Sequence, residues 1–234
     1  MVHFRVLYLL ALLLFISTGP VSAGENVWTE KKLGQIILKA DRAAQHNKWS
    51  RAIRYGEQML TASRILDTEN NYRYISLLKN LNRYYDKAGR ITEAADRIKT
   101  GYMLSKRHLG LSHPTSLTSR NLYYKLLISL ENYADAIPLI QENITVSQAE
   151  PPDPFRVLFY TEQLALLYSL THRYEEEEAT LIRLLDLNKK ILGDKTSEDH
   201  KIILSLAQNY CRQKKLNDFK ELITTHQLKF YCKW

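Results

Sequence analysis

Leu78-Lys79-Asn80-Leu81-Asn82-Arg83-Tyr84-Tyr85-Asp86-Lys87-Ala88-Gly89-Arg90-Ile91-Thr92-Glu93-Ala94 decides the fold. Leu78, Leu81 and Tyr85 recur at spacings of three and four, which lines them along one face of a helix. Gly89-Arg90 interrupts that pattern. Ala94, Ala95, Ile98 and Tyr102 then resume it, so the stretch predicts a helix, a turn and a second helix.

The same arrangement recurs. Asn47–Ala52, Gly89–Ala94, Glu131–Ala136, His172–Glu177 and Lys214–Phe219 are five turn segments whose last residues stand at 52, 94, 136, 177 and 219. The spacings are therefore 42, 42, 41 and 42 residues. Leu164, Leu167 and Tyr168 precede the fourth turn, and Ile203, Leu206, Ala207 and Tyr210 the fifth, each at helical spacing.

A lone helical hairpin leaves an apolar face wet, whereas hairpins stacked in series bury it between neighbours. Ala52, Ala94 and Ala136 fall early in each second helix, where small side chains let the two helices approach. Glu177 and Phe219 take that place in the last two units, which predicts less regular packing there.

The pattern Leu78-x-x-Leu81-Asn82-x-x-Tyr85-x-x-x-Gly89-x-Ile91-x-Glu93-Ala94 resembles a tetratricopeptide (TPR) repeat. Its 42-residue period resembles the kinesin light chain-type subfamily, as does the link Leu109-Gly110-Leu111-Ser112-His113-Pro114. Leu192-Gly193 repeats the start of that link two units on, with Thr196-Ser197 in place of His-Pro. Pro138 matches a proline placed early in that family's second helix. The resemblance covers roughly residues 32–232. It implies an all-α, right-handed superhelical array of about five helix-turn-helix repeats, near 32–74, 75–116, 117–157, 158–199 and 200–234.

The resemblance also implies a concave groove lined by exposed positions of each first helix. On this chain those positions are Lys79, Asn80, Arg83 and Lys87 in the second unit, with Asn121 and Lys125 in the third. Lys79 and Arg83 share a helix face, as do Asn121 and Lys125. Basic side chains beside a side-chain amide suit a carboxylate through charge-assisted hydrogen bonds. Phe159, Glu162, Leu166, Leu204 and Gln208 give the later groove a more apolar lining, suited to an amphipathic segment.

Other motifs point to structure. Glu175-Glu176-Glu177-Glu178 falls in a first helical turn, where acid opposes the helix dipole, and reads as a helix start with a solvated face. The seven histidines form no ligand pair at metal-site spacing. No phosphate loop or nucleophile elbow occurs, so neither metal nor cofactor nor catalysis is expected. Asn143-Ile144-Thr145 formally matches a glycosylation acceptor within a helix.

Arg5, an apolar run from Val6 to Ile16 and small residues through Ala23 describe a secretory signal peptide cleaved after Ala23, followed by a linker over 24–31. The apolar run is short for a membrane span, so membrane association is expected only through this segment if it stays uncleaved. The formal charge of +8 falls to +7 once Arg5 is removed. The cations are dispersed along the chain, and export disfavours nucleic acid as a partner.

Cys211 and Cys232 are the only cysteines. With Cys211 near the turn and Cys232 at the far end of a full-length second helix, they would stand ~20 Å apart, too far to bridge. No intramolecular disulfide is therefore predicted. The sequence points to an exported scaffold, periplasmic or secreted, that binds a protein or peptide, an acidic or carboxylate-bearing one included. A secreted effector acting on host proteins is the alternative. So is a self-associating assembly protein, given the aromatics of Leu228–Trp234 at the array's end.

Overall fold

The computed structural model describes residues 27–67, 71–149, 151–193 and 197–232. The expected signal peptide, 1–23, lies outside the described residues. Among the described residues there are ten α-helices and no strand. They are α1 Glu30–Gln45, α2 Trp49–Leu66, α3 Tyr72–Lys87, α4 Ala95–Leu109, α5 Pro114–Ser129, α6 Tyr133–Gln148, α7 Pro154–Leu170, α8 Tyr174–Leu192, α9 Ser197–Gln213 and α10 Leu216–Thr225. One turn of 3₁₀ helix, Ile91–Ala94, leads into α4. The helices pair as five antiparallel hairpins, each stacked on the next. The architecture is the all-α repeat array that the periodicity predicts.

Each hairpin turns on one residue with left-handed backbone: Asn47, Gly89, Glu131, His172 and Lys214, with φ of 55°, 71°, 55°, 57° and 61°. In each, the amide one residue further on donates to a carbonyl five positions back, as in Lys48 N to Ala43 O at 2.8 Å and Arg173 N to Tyr168 O at 2.9 Å. This closure satisfies carbonyls that the helix end would otherwise leave bare. Only Gly89 takes the conformation without steric cost; each of the other four carries roughly 1–2 kcal/mol of strain. The linking Gly110 and Gly193 are likewise left-handed, and the His113 ring caps α5 by accepting from Thr115 N at 3.1 Å.

Ala52, Ala94 and Ala136 are buried, at 0%, 3% and 0% exposure, where the second helix meets the first. Gly56 permits a similar approach between α2 and α3, since a Cβ there would stand 2.7 Å from Leu81 Cδ1. Polar bonds tie successive hairpins: Tyr84 Oη donates to Asp41 at 3.1 Å, and Arg97 pairs with Glu57 at 2.8 Å. In the third hairpin the fully buried Arg120 donates from Nε to Asn143 Oδ1 at 2.6 Å. That buries Asn143, so the formal glycosylation acceptor is inaccessible in the fold.

Two expectations fail for identifiable reasons. Glu177 is no part of a solvated face. It occupies the alanine position, is buried, and accepts from Asn209 Nδ2 of α9 at 2.9 Å and from Arg212 at 3.3 Å. Glu178 also turns to the last hairpin, accepting from Lys215 Nζ and Gln213 Nε2, both at 2.6 Å. Of the four glutamates only Glu175 is exposed, while Glu176 is half-buried and pairs with Arg173.

The cysteines do form a disulfide, Cys211–Cys232, with Cα atoms 5.6 Å apart. The prediction assumed a last helix as long as its counterparts. Instead α10 spans 10 residues and ends where Gln227 goes left-handed at φ 49°. The tail then returns to the end of α9, placing Phe230 against Phe219 at a ring separation of 6.0 Å. Of the expected aromatic run, Phe230 is thereby half-buried and Tyr231 stands out at 85% exposure.

Candidate functional site

Two hollows of the array open beside the first helices. The amino-terminal one measures 430 Å³ and lies where α1, α2 and α3 meet. Asn80, Arg83 and Lys87 of α3 line one side, with Asp41, Gln45 and Trp49 opposite. The structure thus brings together three of the six residues expected in the groove. Among the described residues no carboxylate is ion-paired with Lys79, Arg83 or Lys87; Asp41, across the hollow, accepts from the Tyr84 hydroxyl. Lys79 lies beside this hollow and is half-buried; burial and the neighbouring Arg83 charge both lower its pKa. Three like charges within one helix stretch repel one another unless an anion joins them.

The two residues from the third hairpin stand apart from this cluster. Asn121 is exposed on α5. Lys125 reaches back across to Asp86 of α3, Nζ to Oδ1 2.5 Å, so its charge is already matched within the chain.

Further along, α7 carries an exposed apolar stripe: Phe155, Phe159, Leu166 and Leu170, at 63%, 54%, 53% and 43% exposure. Their spacing of four, seven and four residues keeps them on one helical face. Glu162 interrupts the stripe and is itself exposed. The α7 helix buries its other side through Val157, Leu164, Leu167 and Tyr168. The helix therefore carries apolar side chains on both its packed and its exposed side.

The stripe borders a second hollow of 410 Å³ between α7 and α9, floored by Leu181 and Leu184 of α8. Glu162, Leu166 and Gln208, all expected in the later groove, line it. Arg212 bridges its mouth by donating from Nη1 to Ser169 Oγ of α7 at 2.7 Å. Phe159 lies on the stripe outside the hollow, stacked edge-on to Tyr160 at 5.3 Å. Leu204 is half-buried and does not line it. Phe155, Leu170 and Arg212 were not singled out in sequence, although extending the Phe159–Leu166 spacing by one turn each way finds the first two.

No family model matches this chain, and no curated protein matches it. Solved structures do. A putative kinesin light chain from Podosopora anserina with nearly identical TPR-like repeats superposes with a TM-score of 0.59 at 18% identity, over 85% of this chain and 94% of that one. BtubC (BKLC) from P. vanneervenii gives 0.53 at 15% identity, over 84% and 79%. A MamA RS-1 double mutant gives 0.50 at 16% identity, over 85% and 93%. At such identities the likeness concerns architecture, and the architecture shared is a TPR-like array of helical hairpins.

Proposed function

We propose that this chain is an exported scaffold that holds a protein or peptide segment along the groove of its first helices. The observation that carries this reading is the α7 stripe. Four large apolar side chains stand exposed beside a hollow of 410 Å³, on a helix whose opposite face is already packed. Burying such a side chain fully is worth roughly 1.5–3 kcal/mol, and an amphipathic helix laid along the stripe would collect that gain. Lys79, Arg83 and Lys87 supply the polar complement, favouring an acidic or carboxylate-bearing stretch of the same partner. The role is binding, with no cofactor.

Export is supported by the leader-like sequence of residues 1–23 and by the Cys211–Cys232 bridge, since disulfides persist in oxidising compartments. The same two features support the proposed periplasmic or secreted placement.

A photo-crosslinking residue at Phe159 or Leu166, in the chain's native compartment, tests the reading by mass spectrometry of the adducts. A discrete partner captured from both positions and absent from Lys99 on α4 is the expected result. Capture at Lys99 alone would remove the groove from the mechanism. Lys79→Glu and Arg83→Glu should weaken the same capture; an unchanged partner set refutes the basic half.

A further inference from the structure

Arg51 is the residue out of place in the array. It is the third residue of α2, and the corresponding positions in the other four hairpins are Glu93, Asp135, Glu176 and Asp218. Acid belongs there because it faces the positive end of the helix dipole. In three of those hairpins it also meets the residue just after the left-handed turn: Arg90–Glu93 at 2.6 Å, Asn132–Asp135 at 2.7 Å and Arg173–Glu176 at 2.5 Å. The first hairpin has Lys48 and Arg51 at these two places, and α2 has no acid in its first turn. A local stabilising pair has become two like charges.

The same hairpin departs at two further positions. Lys39 and Arg42 occupy the register that holds Leu81 and Tyr84 in the second hairpin and Leu164 and Leu167 in the fourth. Those counterparts pack against the preceding hairpin, whereas here the face forms the end of the described array. Lys39, Arg42, His46, Lys48 and Arg51 gather around one shallow hollow of 170 Å³ that contains no carboxylate. The hairpin's acids are turned the other way: Glu30 and Asp67 bind Arg73, Asp41 binds Tyr84, and Glu57 binds Arg97. Solubility of a terminal hairpin asks only for a polar face. Segregating the two signs goes beyond that.

We propose that this cationic end face docks the array on a bilayer surface bearing anionic phospholipid headgroups. The chemistry fits a headgroup layer better than a folded acidic partner. A protein interface is built around an apolar centre, and this hollow offers Ala43 and Tyr55 alone. A charged surface instead rewards many exposed cations at once, each by about fivefold in affinity. Leu38, 59% exposed and one turn before Arg42, sets one apolar side chain at the patch edge. Docking by this end leaves the groove on α3 and α7 clear.

The test is co-sedimentation of the full chain with vesicles of phosphatidylglycerol and phosphatidylcholine in equal parts, against phosphatidylcholine alone. The readout is the ratio between the two, compared among variants that all share the same leader with its Arg5 charge. A ratio well above one that falls as salt rises is expected. R42E/K48E/R51E should lower it roughly tenfold or more, and R51E alone should lower it while raising thermal stability, because it restores the acid of the other hairpins. K79E/R83E should leave it unchanged. A ratio of one, or a ratio indifferent to the triple change, overturns the proposal. So does retention of polyglutamate that the triple change abolishes while vesicles show no preference, which would assign the patch to acidic polypeptides.

Discussion

Glu177 of α8 and Asn209 of α9 form a buried hydrogen bond, Nδ2 to Oε2 2.9 Å, at the position where the first three hairpins bury an alanine. The fourth and fifth hairpins are thus held partly by a polar contact. Glu177→Ala leaves the fully buried Asn209 one acceptor short and Arg212 without its carboxylate. Such a loss costs about 1–3 kcal/mol. Urea denaturation should show it, with faster hydrogen exchange confined to α8, α9 and α10. Glu177→Gln keeps an acceptor and should cost less.

The Cys211–Cys232 bridge should leave zero titratable thiols in the denatured, unreduced protein. Cross-linking across a separation of 21 residues constrains the unfolded chain by about 3 kcal/mol. Reduction, or Cys232→Ser, should therefore lower the stability of the last hairpin by up to that amount. Amide exchange in α10 should rise, with α1 to α6 unaffected.

The turns offer an opposed pair of changes. At Gly89 nothing lies within 4 Å of the place a Cβ would take, so Gly89→Ala meets backbone strain alone and should destabilise by about 1 kcal/mol. Glu131→Gly relieves the same strain at a site where a larger residue now bears it. A gain of about 0.5 kcal/mol, after glycine's entropic cost, should appear as a raised melting temperature.

Lys79 should make stability depend on pH in the alkaline range. Burial and Arg83 lower its pKa in the folded chain, so the folded state releases this proton before the unfolded state does. Across that window the unfolded chain binds more protons, and stability rises with pH. Lys79→Gln should stabilise the free protein at neutral pH and flatten that rise, as read by urea midpoints at pH 7 and pH 9.5. An acidic ligand should act in the same sense on the unaltered chain, since it supplies the missing counter-charge.

Much of the fold was legible because each turn needs one left-handed residue and one closely packed second helix, and both demands recur with the period. The alanines at 52, 94 and 136 marked that register, and Glu177 falls in it too. Its burial was masked by three neighbouring glutamates, whose run suggests a solvated face when taken together. The disulfide was illegible because it depends on where α10 stops, and a helix end of 10 residues differs from its counterparts without any proline or glycine to signal it. In the candidate groove, Asn80, Arg83 and Lys87 follow from the resemblance to TPR arrays, which assigns the groove to exposed positions of each first helix. The capture of Lys125 by Asp86 depends on how neighbouring hairpins meet, which spacing along one helix does not report.

Charge and grease are segregated within the groove, cations on α3 and the apolar stripe two hairpins later on α7. Under the proposed function, a ligand that spans both would be read in one sense only, its acidic portion toward the amino-terminal hairpins. Two peptides of identical composition but reversed order would not be equivalent to such a surface, and the array would select the direction of a chain as well as its composition.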